Sequence, residues 1–346
     1  MKERNIDIDA LKGMAILLVM IGHVLVWNGM TDGFIYDIIK VVQMPLFIII
    51  SGYLAGVGRR ADSLQRYARM VGKRAVAYLV PFFFWIILLH PMTVLQSLKV
   101  VLFDLDEGLW FLMTLFILDL MVYTAQLAAS FAGKRSGGGD GGRGAVFCGV
   151  YIILTAAVCV ETALGVEFLS PGLTRLYIPF FMAGYAAGVF KEKTDQIPGA
   201  VKTAAMAAAF AALVFMAAAF DLQNVDTVFN LARQIAASFT GCYAVIRLLE
   251  LLPRGRAKSF FAWLGGYTLE IYTLHFHFAY VLGRVGVYSL YSWQGIIYAA
   301  ASFAVMSLIT AVIIVITKKF WFLDLLLYGK TAHLPAKLSL RRRTED

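Results

Sequence analysis

The sequence is poor in charged residues. Only 15% of its 346 residues are Asp, Glu, Lys or Arg, whereas 60% are hydrophobic. Soluble domains average about 25% charged and about 45–50% apolar residues. The composition therefore excludes a water-soluble globular protein and predicts a polytopic membrane protein.

The sequence also lacks the usual motifs for a metal or a tightly bound cofactor. Its three cysteines, Cys148, Cys159 and Cys242, lie in apolar runs at no metal-ligand spacing, which is typical of small residues in helix packing. The glycine-rich segment 133–144 lacks the preceding strand and the GK[ST] ending of a phosphate-binding loop. We interpret that segment as a flexible linker, and we expect no metal and no bound cofactor.

Two further absences describe the membrane segments: one concerns whether the first is removed, and the other concerns whether they are helices or strands. The first apolar run has no small-residue cleavage site after it, so it is expected to remain as the first span and not to be removed as a signal peptide. The apolar runs also lack the period-2 alternation of a membrane barrel. Runs of about 17–25 apolar residues predict an all-α fold of about ten spanning helices, near 8–28, 36–57, 76–98, 109–131, 145–164, 174–190, 200–220, 230–252, 261–284 and 294–318.

Positive charge is concentrated in alternate connections between these spans, and the other connections hold little beyond Lys99, Arg175 and Arg284. The second connection holds six cations, from Arg59 to Arg74, and the C-terminal segment ends in another basic run, Arg341 to Arg343. By the positive-inside rule both termini are cytoplasmic. We therefore predict one membrane domain over 1–330, followed by a basic cytoplasmic tail over 331–346. The protein is expected to be a multi-pass protein of the inner (cytoplasmic) cell membrane. The net charge of +9 then reflects topology and attraction to anionic lipids, so no nucleic-acid partner is expected.

The first span carries ionisable residues inside an otherwise apolar run. Groups such as Asp9, Lys12 and His23 cost about 2.5–3.5 kcal/mol each in hydrocarbon, so each needs a partner, a water-filled cavity or a function. The eleven-residue spacing puts Lys12 and His23 within about 20° of one helix face and about 16 Å apart along the axis. Histidine titrates near neutral pH, which makes His23 the candidate proton acceptor.

Structural interpretations of these residues stay open beside the functional one. Lys12 can extend its ammonium to the membrane surface, and Asp9 suits the positive end of the helix dipole. His23 could instead be a buried structural histidine bonded to a backbone carbonyl.

Polar and aromatic residues of later spans are the other candidates. Trp110 is either an aromatic of the membrane interface or a platform on which a sugar stacks. Arg175 is a cation on the predicted outer side, where it would meet a carboxylate or an anionic ligand. In the ninth span Glu270 and His277 share a face and can pair, whereas His275 is the better candidate for lining a cavity with His23.

Several of these segments occur in the order typical of a known family. The chain resembles the integral-membrane acyltransferase type 3 family over nearly its whole length, and within it most resembles the fucose 4-O-acetylase-like sugar O-acetyltransferases. The resemblance rests on Asp9, Leu11, Lys12, Gly13, Gly22 and His23, then Met44-Pro45-Leu46-Phe47, Ser51-Gly52-Tyr53-Leu54, Leu109-Trp110-Phe111-Leu112, Arg175 with Pro179-Phe180-Phe181, and Ile271-Tyr272 with His275.

This resemblance implies an O-acetyltransferase that moves an acyl group from cytoplasmic acyl-CoA, its co-substrate, to a hydroxyl of a cell-surface or lipid-linked carbohydrate. His23 would be the general base, and Lys12, with Asp9 beside it, would steady the thioester or the oxyanion. The remaining candidates would bind substrate: Gln43, Tyr53, Trp110, Arg175 and His275, and, for the CoA phosphates, the second-connection cations Arg59, Arg60, Lys73 and Arg74.

Two positions depart from the family pattern. Position 12 is Lys, where the wider family more often has Arg, although the sugar-acetylase branch also uses Lys. Position 43 is Gln, where that branch typically has His. A covalent acyl-histidine and direct transfer are both compatible with the sequence.

The alternative from another functional class is a transporter or flippase for a glycolipid or a small solute. About ten spans with polar residues near the midplane suit such a protein equally well. The scarcity of acidic residues within the spans argues against ion coupling. The sequence leaves open the acceptor, the length of the acyl group and the oligomeric state.

Overall fold

The computed structural model describes residues 5–136, 140–280 and 288–331, and within these ranges all regular structure is helical. The predicted all-α class is therefore confirmed. Seven of the described helices are long and apolar enough to cross a membrane, which makes the chain a polytopic membrane protein. The count of ten spans and the cytoplasmic position of both termini stay predictions.

The helices follow the apolar runs closely in most places. In chain order they are α1 Ile6–Trp27, α2 Phe34–Val57, α3 Leu64–Leu89, α4 Val94–Phe103, α5 Trp110–Ser136, α6 Asp140–Ala163, α7 Pro171–Val189, α8 Lys191–Asp195, α9 Gly199–Ala219, α10 Val228–Leu251, α11 Arg256–Gly265, α12 Thr268–His275, α13 Trp293–Thr317 and α14 Trp321–Tyr328. Short 3₁₀ turns follow α4 at Leu105–Glu107 and α12 at Phe276–Phe278.

The third span, predicted over 76–98, is placed wrongly. The helix begins at Leu64 and ends at Leu89 because His90, with φ −128° and ψ 55°, has left the helical region. The following residue is Pro91, and a residue before proline is disfavoured in the helical conformation. The rest of the predicted span therefore belongs to the separate short helix α4.

The ninth span, predicted over 261–284, is not one helix. Two glycines, Gly265 and Gly266, end α11, and α12 then runs only to His275 before the 3₁₀ turn. Residues 281–284 of that prediction lie outside the described residues. His277 lies in the 3₁₀ turn that follows α12, and its predicted pairing with Glu270 stays a prediction.

The interpretation of 133–144 as a flexible linker is also wrong where the structure describes it. Helix α5 continues to Ser136 and α6 begins at Asp140, so only 137–139 lie outside the described residues. A glycine in a helix costs about 0.5–1 kcal/mol relative to alanine. These glycines lie in the end turns of two long apolar helices, and a cost of this size per residue does not prevent those turns from being helical.

Contacts divide the chain into two compact units, which are described separately. The first holds the chain up to Tyr53 and Ala186–Val315, and the second holds Leu54–Tyr185 and the chain from Ile316. The predicted single membrane domain over 1–330 stays a prediction, and residues 332–346 of the predicted tail lie outside the described residues.

In the first unit, α1 and α11 cross at two glycines. A Cβ on Gly13 would overlap the carbonyl oxygen of Phe261, and one on Gly265 would overlap that of Asp9. Only glycine permits backbones to approach this closely. The same pair of helices is joined by buried Lys258, whose Nζ lies 2.5 Å from Asp7 Oδ1.

The second unit is centred on apolar packing of α3, α4 and α5. Its cluster of buried side chains comprises Phe82, Ile86, Val101, Leu105 and Met113. The short helix α14 joins α3, because the indole of Trp85 donates a hydrogen bond to the carbonyl of Leu327 at 3.1 Å.

Candidate functional site

Two histidines far apart in sequence meet in the first unit. His23 Nδ1, near the C-terminal end of α1, lies 2.7 Å from His275 Nε2 on the last turn of α12, and 252 positions separate them. Their ring centroids are 4.9 Å apart. The expectation that His275 adjoins His23 therefore agrees with the observed geometry, although their catalytic role stays a prediction.

The second nitrogen of His275 is also engaged. His275 is fully buried, and its Nδ1 lies 2.6 Å from the carbonyl oxygen of Ile271, one turn earlier in α12. The structural alternative for His23 was a bond to a backbone carbonyl. In the structure it is His275 that contacts a carbonyl, whereas His23 contacts an imidazole.

Gln43 packs directly against the turn that carries His23. A Cβ on Gly22 would overlap the Gln43 carboxamide, so the glycine permits this approach from α2 to α1. Gln43 Oε1 is buried, and it has no hydrogen-bond partner among the described residues. Gln43 departs from the family pattern in its identity, and its side chain lies beside Gly22, the residue that precedes His23.

Three aromatic residues near His23 were missed by the sequence analysis. Phe276 presents its ring edge-on to His23 at 5.3 Å, and Trp27 contacts both Phe276 at 5.4 Å and Tyr280 at 5.8 Å. Phe276 and Tyr280 are 42% and 48% exposed. A signal was present for Trp27, which is four residues after His23 and so lies one helical turn away on the same face.

Asp9 and Lys12 lie at the opposite end of α1 from His23. Lys12 Nζ is 3.6 Å from Asp9 Oδ1, and both side chains are largely buried. This pair adjoins the glycine crossing with α11. The structure therefore keeps these two residues apart from His23, in accordance with the helix spacing.

Arg74, one of the predicted CoA-binding cations, is occupied by groups of its own unit. Its Nε lies 2.9 Å from Asp119 Oδ2 and 3.1 Å from the hydroxyl of Tyr123, and a terminal nitrogen donates to the Tyr78 hydroxyl at 3.0 Å. Asp119 is 1% exposed. An uncompensated carboxylate there would be strongly destabilising, so the guanidinium serves to neutralise it.

The other predicted cations of this segment differ from Arg74. Arg59, Arg60 and Lys73 are exposed. Sequence spacing alone did not separate them from Arg74, because the partner carboxylate Asp119 comes from α5.

The remaining predicted binding residues are dispersed. Trp110 stacks on the buried ring of Tyr177 at 5.3 Å, so one of its faces is covered. Arg175 is exposed on the first turn of α7, in the same unit. Tyr53 is half-buried on α2 in the first unit.

No group of three or more His, Cys, Asp or Glu side chains within the described ranges is arranged to hold a metal ion.

Helix α1 carries two separate polar groups. One is the histidine pair with Gln43 and the aromatic rings, and the other is the Asp9–Lys12 ion pair. An imidazole held by hydrogen bonds beside aromatic rings is suited to proton transfer.

Comparison with known proteins gives the chain a family. A family model described as an acyltransferase domain matches residues 5–316. Nodulation protein NolL of Sinorhizobium fredii is 41% identical over 93 residues, which is 25% of this chain and 25% of that protein. Nodulation protein NolL of Mesorhizobium japonicum is 33% identical over 198 residues, 53% of this chain and 47% of that protein.

The chain thus spans between a quarter and about half of the length of these curated relatives. No solved structure matches it. The family model, in contrast, extends from the start of α1 into the end of α13 and so includes both histidines. This chain therefore belongs to the type 3 acyltransferase family.

Proposed function

We propose that this protein transfers an acetyl group from acetyl-CoA to a hydroxyl of a cell-surface or lipid-linked carbohydrate, with His23 as the general base. Family membership supports acyl transfer. The observation that carries the choice of base is the contact of His23 with His275, because it holds an imidazole in one orientation within an apolar helix. We assign the protein to the inner (cytoplasmic) membrane, with acyl-CoA, the acceptor and lipids as its partners.

The proposed reaction needs no bound metal or cofactor. The imidazole of His23 takes the proton of the acceptor hydroxyl while that oxygen attacks the thioester carbonyl carbon. The new carbon–oxygen bond forms, the carbon–sulfur bond breaks, and the proton passes to the CoA sulfur. We favour direct transfer, in which only one base is required.

The acyl donor would approach from the end of α1 that carries Asp9 and Lys12. The ammonium of Lys12, paired with Asp9 at 3.6 Å, would lie about 16 Å along the helix from His23. That distance suits an extended pantetheine arm. The exposed cations Arg59, Arg60 and Lys73 would contact the CoA phosphates. Arg74 would be the weakest contact of the four, because its guanidinium already pairs with Asp119.

The acceptor would bind at the other end. Gln43 Oε1 is buried and has no hydrogen-bond partner in the part of the chain that the structure describes. It can accept a hydrogen bond from a sugar hydroxyl, which would remove the free-energy penalty of leaving it unsatisfied. The partly exposed rings of Phe276 and Tyr280 offer apolar faces of the kind that amphipathic ligands contact. We retain Tyr53, Trp110 and Arg175 as further acceptor contacts.

Radiolabelled acetyl-CoA and a panel of glycan acceptors test this proposal on the purified full-length protein in nanodiscs. His23→Ala is expected to lower kcat by about 10²–10⁴-fold, the usual contribution of a general base. His277→Ala is the matched control, since it removes a neighbouring exposed imidazole. Transfer by His23→Ala at the wild-type rate would refute the base assignment, and absence of transfer by the wild type to every acceptor would refute the proposed activity.

A further inference from the structure

The hydrogen bonds of the histidine pair have only one consistent direction. A backbone carbonyl oxygen can only accept, so the 2.6 Å contact between His275 Nδ1 and Ile271 requires the proton on Nδ1. The other groups that act on the His275 ring are the imidazoles of His23 and His277 and the backbone and ring of Tyr272. None of these is an anion, so a buried imidazolium would have no counter-ion among the described residues, and His275 is neutral.

The protonation of His275 determines that of His23. In a neutral imidazole only one nitrogen carries a proton, so His275 Nε2 has a lone pair and must accept. The 2.7 Å contact is then a bond in which His23 Nδ1–H donates to His275 Nε2. The basic lone pair of His23 consequently resides on Nε2.

We propose that His275 is a positioning residue that selects the tautomer of His23 and thereby makes Nε2 the basic nitrogen. The inference rests on the proposed function only in taking His23 as the base. The carbonyl of Ile271 orients the ring of His275. The ring of Phe276 is edge-on to the imidazole of His23 at 5.3 Å and restrains that imidazole from a second side. When Nε2 takes the substrate proton, the His23 Nδ1–H becomes a charge-assisted donor to His275, which stabilises the imidazolium.

Two amide substitutions at position 275 separate positioning from packing. The carboxamide in His275→Gln reaches the place of Nε2 and still offers an oxygen to His23, whereas the shorter one in His275→Asn reaches only the place of Nδ1. The wrong tautomer of a catalytic histidine can lower kcat by about 10⁴-fold. We expect His275→Asn to lose at least about 10²-fold in kcat with little change in KM for acetyl-CoA, and His275→Gln to stay within about tenfold of wild type.

Nitrogen NMR of the ¹⁵N-histidine-labelled protein in nanodiscs gives a readout that does not depend on turnover. His23→Ala assigns the His23 signals, and His277→Asn is the control for an unrelated imidazole. We expect wild-type and His275→Gln His23 to carry the proton on Nδ1 at neutral pH, and His275→Asn to lose that preference.

The inference is overturned if His23 of the wild type is protonated on Nε2, or if His275→Asn transfers acetyl as fast as the wild type. It is equally overturned if His275→Gln, folded as judged by size-exclusion elution, is as inactive as His275→Asn. A wild type that carries the proton on Nδ1 but acetylates no acceptor would instead refute the proposed function and leave the tautomer assignment standing.

Discussion

At the scale of single residues, burial separates cations that look alike in the sequence. Arg59 and Arg74 both belong to the basic connection and its adjoining helix, yet only Arg74 faces a buried carboxylate, that of Asp119. Removing one member of a buried ion pair leaves the other charge without compensation, which destabilises far more than removing an exposed charge. The two arginines are therefore expected to respond differently to the same substitution.

Arg74→Ala is expected to destabilise the protein because it leaves the Asp119 carboxylate buried and unpaired. Breaking a fully buried pair costs about 3–5 kcal/mol, and the effect here is expected at or below the lower end because the Arg74 side chain is 32% exposed. Thermal unfolding in detergent, followed by size-exclusion chromatography, measures it. Arg59→Ala is the control and should change stability by less than about 0.5 kcal/mol. Equal melting of the two variants would contradict the structural role of Arg74.

At the scale of helices, the site depends on how closely α1 approaches α11. Gly13 and Gly265 bring the two backbones into contact beside Asp9 and Lys12. In membrane proteins such close crossings rely on small residues because packing, rather than water exclusion, joins the helices. The polar groups of α1 are thus held in place by residues that have no side chain of their own.

Gly13→Ala is expected to force α1 and α11 apart, because the added Cβ meets the backbone carbonyl of Phe261. Overpacking of this kind costs about 1–3 kcal/mol. Gly72→Ala is a matched control in α3, where nothing lies within 4 Å of the new Cβ, and it should be neutral or stabilise by up to about 1 kcal/mol. The unfolding temperatures of both variants, measured in the same detergent, test this expectation. A Gly13→Ala protein as stable as Gly72→Ala would rule out the close crossing.

At the scale of the whole molecule, the proposed reaction requires the donor and the acceptor to reach α1 from opposite sides of the membrane. The alternating positive charge of the connections predicts that arrangement. Lys191 and Lys193 lie in one connection, and Asp221 lies in the next. The two connections flank α9, so they should face opposite sides.

Single cysteines introduced into a cysteine-free variant test this topology. Glu192 and Val225 are exposed positions in the two connections. With an impermeant maleimide on intact cells, Val225→Cys should be labelled, whereas Glu192→Cys should be labelled only after permeabilisation. Labelling of Glu192→Cys in intact cells would reverse the proposed direction of transfer.

Local patterns were sufficient for much of the fold. Apolar runs predicted most helices to within a few residues, because a segment in a bilayer must satisfy its own backbone hydrogen bonds and becomes a helix wherever it is long and apolar enough. The errors fell where local rules compete. Pro91 ended a helix inside an apolar run, Gly265 and Gly266 divided another, and the glycines near 133–144 did not prevent helix formation.

The sequence by itself determined the helical class, the membrane character and the single face shared by Lys12 and His23, since each follows from spacing within one segment. Only the tertiary structure decided that His275 contacts His23, that Asp119 neutralises Arg74 and that Gly13 meets Phe261. These pairings join residues from different helices, and the periodicity of one helix contains no information about which helix will pack against it. The candidate base could therefore be predicted from α1 alone, whereas the neighbour that orients it could not.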